Sequence, residues 1–445
     1  MTEARRTDAV TIARGRALTG SVRTPGDKSI SHRALLIGAL AHGTSTVRGL
    51  SDGDDVMRTA AAVAALGATV RRGGDTVVIE GGRGRLHEAG EIDCANSGTG
   101  MRLLAGVAAG LPWTTTLTGD ESLSARPMDR IAEPLAAMGA SVEGRGPTLL
   151  PPLVVGGGHL HGIEWTPSMA SAQVKSAILF AGLDATGETI VRERVATRTH
   201  TEEMLAAAGA EISVEAWGTG RLVRLLASEL RPLDLDIPGD PSQAAFWLVA
   251  ACLVPGASVV VERVYSGQER VGFMAVLERM GAQVSVGPAT GEAADLSARH
   301  SALRGTDVEA AEIPSLDEVP ILAVAAAAAD GTTTFRDVGE LTVKETDRLA
   351  ATIALVEAIG GLARADGDDL VIEGSGAPAT SAVRFHGSGD HRLAMAAMVA
   401  ALAGADGGSI DGVASVGTSY PGFLDDMSAL AGPGAWSPVD AGDGT

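Results

Sequence analysis

The same punctuation recurs six times along the chain: an apolar, helix-like run enters a glycine turn, at intervals of roughly 70 residues. The turns are Leu40-Ala41-His42-Gly43, Val107-Ala108-Ala109-Gly110, Leu183-Asp184-Ala185-Thr186-Gly187, Leu253-Val254-Pro255-Gly256, Ala328-Ala329-Asp330-Gly331 and Ala403-Gly404-Ala405-Asp406-Gly407. A β-branched or apolar run follows each, as in Ser258-Val259-Val260-Val261, whose composition reads as strand. Next comes an amphipathic helix, and five of these end on the C-cap signals Gly67, Gly139, Gly209, Gly281 and Gly360. A further strand returns in several units, as at 75–80 and 369–373. The unit reads as helix, strand, helix, strand.

In the first unit the run Ala34-Leu35-Leu36-Ile37-Gly38-Ala39-Leu40-Ala41 is apolar on every face, which marks a buried helix. Six units with one buried helix each do not share a single core in 445 residues, so two domains of three units are the economical arrangement. Asp236-Ile237-Pro238-Gly239-Asp240-Pro241-Ser242 falls between the third and fourth units with the composition of a linker. The first 20 or so residues read as a strand-like segment able to pair with either half.

A net charge of -20 argues against nucleic acid or an anionic membrane surface as a partner, so an anionic small substrate needs a locally basic pocket. Two cysteines, Cys94 and Cys252, make neither a disulfide framework nor a zinc site, and a reducing cytoplasm fits them. The first eight residues lack the apolar core of a signal peptide, and the alanine-rich runs are broken too often to span a bilayer.

Uncommon residue types gather at the starts of the buried helices. Pro25-Gly26-Asp27-Lys28-Ser29-Ile30-Ser31-His32-Arg33 joins a turn to a helix N-terminus, where two cations are unfavourable unless an anion sits between them. Asn96-Ser97-Gly98-Thr99-Gly100-Met101-Arg102 and Ser171-Ala172-Gln173-Val174-Lys175 occupy the same place in their units, as do Asp317-Glu318 and Asp390-His391-Arg392. The amphipathic helices add Arg126-Pro127-Met128-Asp129-Arg130, Arg198-Thr199-His200 and Lys344-Glu345-Thr346-Asp347-Arg348. Lys344 and Arg348, four apart on one helical face, repel by about 0.2–0.5 kcal/mol unless an anion lies between them. If these helix starts face a common cleft, the cations and backbone donors imply two polyanionic ligands, with carboxylates to move protons between them. Asp317 read alone is equally an N-cap, and Glu345 equally a simple partner of Arg348. No GxxxxGK[ST] loop, strand-linked GxGxxG or Cys/His cluster is present, so no cofactor and no metal is expected.

These stretches, spread over nearly the whole chain, resemble the enolpyruvyl transferases, and within them the branch that acts on shikimate 3-phosphate. The resemblance implies an α/β fold: a two-domain inside-out α/β barrel of six βαβαββ repeats, with buried helices and sheets outside. It places an N-terminal domain at 24–238 and a C-terminal domain at 1–23 plus 239–445. It implies transfer of the enolpyruvyl group of phosphoenolpyruvate to the 5-hydroxyl of shikimate 3-phosphate, by a cytoplasmic monomer on the route to chorismate and aromatic amino acids. Lys28, Ser29, Arg33, Ser171, Gln173, Arg198, Asp317 and Lys344 then hold shikimate 3-phosphate. Lys28, Gly98, Arg126, Gln173, Arg348 and Arg392 hold phosphoenolpyruvate, at the place where the herbicide glyphosate also binds. Asp317 is implied as the base for the hydroxyl and Glu345 as the acid for the methylene, with Lys28 also catalytic. Ala172 stands where many members carry serine, Thr418 where some carry lysine and Glu340 where others carry asparagine; Ser171-Ala172-Gln173 and Thr418-Ser419-Tyr420-Pro421 resemble the second, often less glyphosate-sensitive subgroup.

Two rival readings are weaker. The sister enzymes acting on UDP-N-acetylglucosamine usually carry Asn where Ser29 stands, with a reactive cysteine on a mobile loop. A catalytically silent anion-binding scaffold has no use for Asp317 and Glu345 beside the cations.

Overall fold

The computed structural model describes residues 7–15 and 17–439; the expectation about a signal peptide falls almost wholly outside them. The chain forms two compact units, Gly26–Ile237 and Met1–Pro25 with Pro238–Thr445. Gly26–Ile237 carries six helices, α1 (Lys28–Leu40), α2 (Asp54–Ala65), α3 (Gly98–Ala109), α4 (Asp129–Ala137), α5 (Ala172–Gly182) and α6 (His200–Ala207). The other unit carries α7 (Pro241–Leu253), α8 (Gln268–Arg279), α9 (Val319–Ala328), α10 (Arg348–Ala358), α11 (His391–Ala403) and α12 (Phe423–Ala431).

The odd-numbered helices are the apolar runs of the sequence, and they are buried on nearly every face. Within the first unit α1 packs on α3 and α3 on α5, and within the second α7, α9 and α11 pack on one another. Gly106 is what lets α3 and α5 touch: a Cβ there would lie 2.4 Å from the Ala177 carbonyl oxygen. The even-numbered helices expose one face, and Gly67, Gly139, Gly209, Gly281 and Gly360 at their ends all take positive φ, as C-cap glycines do.

Among the described residues six four-stranded sheets cover the inner helices, one per repeat. In the second repeat Glu91–Asp93 pairs in parallel with Thr114–Thr118, which pairs antiparallel with Leu150–Gly156, itself paired with Ser141–Arg145. The repeat is therefore βαβαββ rather than helix, strand, helix, strand. Two strands per repeat were missed: one of the closing antiparallel pair, and the leading parallel strand, which is two residues long in Glu164–Trp165 and too short to leave a pattern. In the first repeat that strand is Asp234–Asp236, parallel to Gly43–Arg48, so the end of the unit closes back on its beginning. Thr19–Val22 leads the fourth sheet beside Ser258–Tyr265. Ala9–Ile12 lies antiparallel to Gly408–Asp411 in the sixth. Alternate residues of each sheet face inward, as Val77 and Ile79 do beneath α1. No helix among the described residues is long and apolar enough to cross a membrane.

Candidate active site

In Gly26–Ile237 the candidate residues cluster at the N-termini of α1, α3 and α5 and on the segments leading into α4 and α6. Asp27 caps α1 by accepting from the Ile30 amide at 2.9 Å. Lys28 Nζ lies 3.1 Å from Asp55 Oδ2 on α2, so the protein itself supplies an anion for this cation. Ser29 Oγ accepts from Arg198 Nη1 at 2.9 Å. Arg33 is turned inward and 2% exposed. It donates to the Ser29 carbonyl at 2.9 Å and to Thr201 and Ser176 hydroxyls, each at 2.6 Å. The two cations expected to share an external anion are thus each engaged within the protein. Below them His32 is buried, its Nδ1 2.8 Å from Thr59 Oγ1. Burial, with Lys28 and Arg33 nearby, holds its pKa well below the usual value, so it adds no third positive charge near neutral pH.

A second group surrounds Gly98, the first residue of α3. A Cβ there would lie 3.1 Å from Nη1 of both Arg102 and Arg126, so two guanidiniums face this glycine. Arg126 Nη2 donates to Asn96 Oδ1 at 2.7 Å, and Asn96 Nδ2 donates to Asp120 Oδ2 at 2.9 Å. Arg102 Nη1 donates to Gln173 Oε1 at 2.9 Å, which fixes the amide so that its Nε2 donates to Thr99 Oγ1 at 2.9 Å. Ser171 caps α5 by accepting from the Val174 amide at 3.3 Å. It also lines a pocket of about 170 Å³ with Ser168, Met169, Ala170, Glu193 and Arg194.

In the other unit the residues meet around Arg348, the first residue of α10 and 1% exposed. Its Nη1 donates to Asp317 Oδ1 at 3.1 Å and its Nε to Asp390 Oδ2 at 2.8 Å, while Nη2 donates to Glu345. Burial opposes its charge, but Glu345, Asp390 and Asp317 outweigh that and raise its pKa above the ordinary arginine value. Asp390 also caps α11, accepting from the Arg392 amide at 2.9 Å. Arg392 donates to Asp317 Oδ2 at 3.4 Å, and its buried Nε and Nη1 have no hydrogen-bond partner among the described residues. Asp317 is therefore not a cap: Glu318 holds the N-cap position of α9, and Asp317 faces the arginines. The Glu345–Arg348 pair exists as the spacing allowed.

Three placements correct the sequence reading. Lys344 and Arg348 do not share a helical face, because Asp347 caps α10 through the Ala350 amide and the helix starts only at Arg348. Lys344 instead reaches Glu340 at 3.6 Å. Arg126 and Arg198 likewise precede their helices, which begin at Asp129 and His200. Residues missed by sequence reasoning are Asp55, Ser176 and Thr201, which hold Lys28 and Arg33. A signal existed only for Asp55, an acid in the first turn of α2. Among the described residues no three His, Cys, Asp or Glu side chains gather as a metal site.

The family model described as EPSP synthase (3-phosphoshikimate 1-carboxyvinyltransferase) matches residues 12–427. A 3-phosphoshikimate 1-carboxyvinyltransferase from Caulobacter vibrioides is 47% identical over 429 residues, 94% of this chain and 97% of that one. One from Gluconobacter oxydans is 45% identical over 425 residues, 93% of this chain and 96% of the relative. A solved EPSP synthase from Acinetobacter baumannii superposes with a TM-score of 0.83 at 37% identity, over 96% of this chain and 98% of that one. The enolpyruvyl transferase NikO from Streptomyces tendae, at 19% identity and a TM-score of 0.76 over 95% and 98%, shares the fold. The chain belongs to the EPSP synthase family, the 3-phosphoshikimate 1-carboxyvinyltransferases.

Proposed function

We propose that this chain transfers the enolpyruvyl group of phosphoenolpyruvate to the 5-hydroxyl of shikimate 3-phosphate by addition and elimination, using the residues described above. In the addition, the hydroxyl oxygen bonds to C2 of phosphoenolpyruvate as its proton passes to Asp317 and the methylene carbon takes a proton from Glu345. In the elimination, the C2–O bond to phosphate breaks and the new methyl group returns a proton, restoring the vinyl ether. Carbon oxidation levels balance, so the chemistry calls for no redox cofactor. A hydroxyl is a poor nucleophile and a vinyl carbon a poor base, so the acid and base must act in the same bound complex.

Lys28, Ser29, Ser171, Gln173, Arg198, Asp317 and Lys344 hold shikimate 3-phosphate in this reading, with Arg33 setting the Ser29 backbone from beneath. Lys28, Gly98, Arg126, Gln173, Arg348 and Arg392 hold phosphoenolpyruvate. Lys28 serves both, an ammonium that draws negative charge from each substrate. The observation that carries the reading is Arg392, a buried guanidinium beside Asp317 with two unbonded donors, which is the requirement an anionic ligand meets. Two buried free thiols and two phosphorylated substrates fit our placement of the enzyme in the cytoplasm, and we further propose that it acts as a monomer.

Steady-state kinetics of two variants tests the assignment. Arg198→Ala raises KM for shikimate 3-phosphate more than KM for phosphoenolpyruvate, and Arg126→Ala does the reverse. Equal effects on both substrates from both variants would dissolve the division of the site.

A further inference from the structure

Behind Arg198 lies a buried charge cluster to which the reaction assigns no role. Lys175, on α5 with its side chain fully buried, has Nζ 2.9 Å from Glu193 Oε2 and 2.6 Å from Glu202 Oε1. Both carboxylates are buried too. Glu193 ends the strand Glu188–Glu193 and Glu202 stands in the first turn of α6, so one ammonium joins the two ends of the segment 194–199. Inside that segment Thr197 Oγ1 donates to Glu193, and Arg221 Nη1 donates to the Thr197 carbonyl at 2.7 Å. The next residue is Arg198, which reaches Ser29.

The neighbouring residues reach the same serine from its other side. Ser176 follows Lys175 and Thr201 precedes Glu202; their hydroxyls lie 2.7 Å apart, and both accept from Arg33. Arg33 donates in turn to the Ser29 carbonyl. Two consecutive residues of α5, facing two of α6, therefore stand behind both arginines that hold Ser29.

We infer that Lys175 is a positioning residue for shikimate 3-phosphate: by bridging Glu193 and Glu202 it fixes the segment 194–199 and holds Arg198 at Ser29. Without the ammonium, two carboxylates are left facing each other out of water, an arrangement that drives the segment apart. Burial already pushes the Glu202 carboxyl upward in pKa, with Lys175 opposing it, so the lysine is what keeps the charged pair in place. The effect is on substrate grip rather than chemistry, because the cluster acts through Arg198, which this reading assigns to shikimate 3-phosphate and not to proton transfer. This inference rests on the assignment of Arg198 to shikimate 3-phosphate.

A double-mutant cycle on the full-length enzyme tests it, with KM for each substrate and kcat measured for wild type, Lys175→Met, Arg198→Ala and the double variant. Lys175→Met raises KM for shikimate 3-phosphate by about tenfold or more, with KM for phosphoenolpyruvate and kcat changed by no more than a few fold. With Arg198 already removed, Lys175→Met adds less than about twofold, because its effect runs through that arginine. Independent, multiplying factors, or equal increases for both substrates, overturn the inference while leaving the Arg198 assignment standing. If Arg198→Ala itself leaves KM for shikimate 3-phosphate unchanged, the assignment fails and the inference with it. Should Lys175→Met not fold, Glu193→Gln keeps the shape and removes one charge, and the same cycle is read with the same two outcomes.

Discussion

Asp317 Oδ1 lies 3.1 Å from Arg348 Nη1, and through that contact the start of α9 is tied to the start of α10. Arg348 is itself fixed by Asp390 at the start of α11, so three inner and outer helix starts share one guanidinium. A side chain held this way has lost its rotamer freedom before substrate arrives, which is what a proton-transfer group needs. Asp317→Asn keeps the shape and an acceptor oxygen but gives up the base. Turnover falls by about 10² or more while affinity for shikimate 3-phosphate stays within a small factor. Turnover within tenfold of wild type would remove Asp317 from the role of base.

Gly98 offers a test of the phosphoenolpyruvate pocket. A methyl group there stands 3.1 Å from the Arg102 and Arg126 guanidiniums, so both must give by a few tenths of an ångström. Overpacking of this kind costs about 1–3 kcal/mol, a factor of roughly 5 to 150 in affinity. Glyphosate is longer than phosphoenolpyruvate and loses more. Gly98→Ala therefore raises the inhibition constant of glyphosate by a larger factor than KM for phosphoenolpyruvate. Equal factors would mean that Gly98 does not discriminate between them, and the pocket would have to be placed elsewhere.

Asp426 makes stability depend on pH in a stated direction. Its carboxylate accepts from Tyr420 OH at 2.7 Å, and Tyr420 OH accepts from the buried Trp247 indole at 2.9 Å. Burial lifts its pKa from 3.8 to about 6; the tyrosine bond opposes the shift and Asp425 adds to it. A carboxyl whose pKa is higher folded than unfolded destabilises the fold once ionised. The penalty is absent below the unfolded value, grows through the interval, and is complete above about 6. Asp426→Asn keeps an acceptor for Tyr420 and removes that ionisation. Thermal unfolding shows the variant more stable than wild type at pH 8, with the gain gone at pH 4; a gain of the same size at both values would rule out ionisation as its cause.

The repeats were legible because their signals are local. All-round apolarity marked the inner helices, and glycine marked the ends of the outer ones, where Gly67 and its four counterparts do adopt positive φ. Sequence placed Arg126, Arg198 and Lys344 on helices, and the structure sets them just before the first turn. Met128 is not an N-cap residue type and gave no local signal for its helix start, whereas Thr199 with Glu202 three residues on carries the pattern of a helix start, although neither makes a side-chain cap bond. Pairings across the chain were out of reach for a different reason. Lys28 and Asp55 are 27 residues apart, and Arg33 and Thr201 are 168 apart, brought together only by packing of α1 against α2 and α6.

The most direct test is phosphate release by the purified enzyme, measured with phosphoenolpyruvate alone, with shikimate 3-phosphate alone and with both, while the enolpyruvyl product is followed by mass spectrometry. Neither substrate alone releases phosphate, and one phosphate appears for each enolpyruvyl ether formed when both are present. Release from phosphoenolpyruvate without shikimate 3-phosphate, or product formed on UDP-N-acetylglucosamine instead, would contradict the proposed transfer.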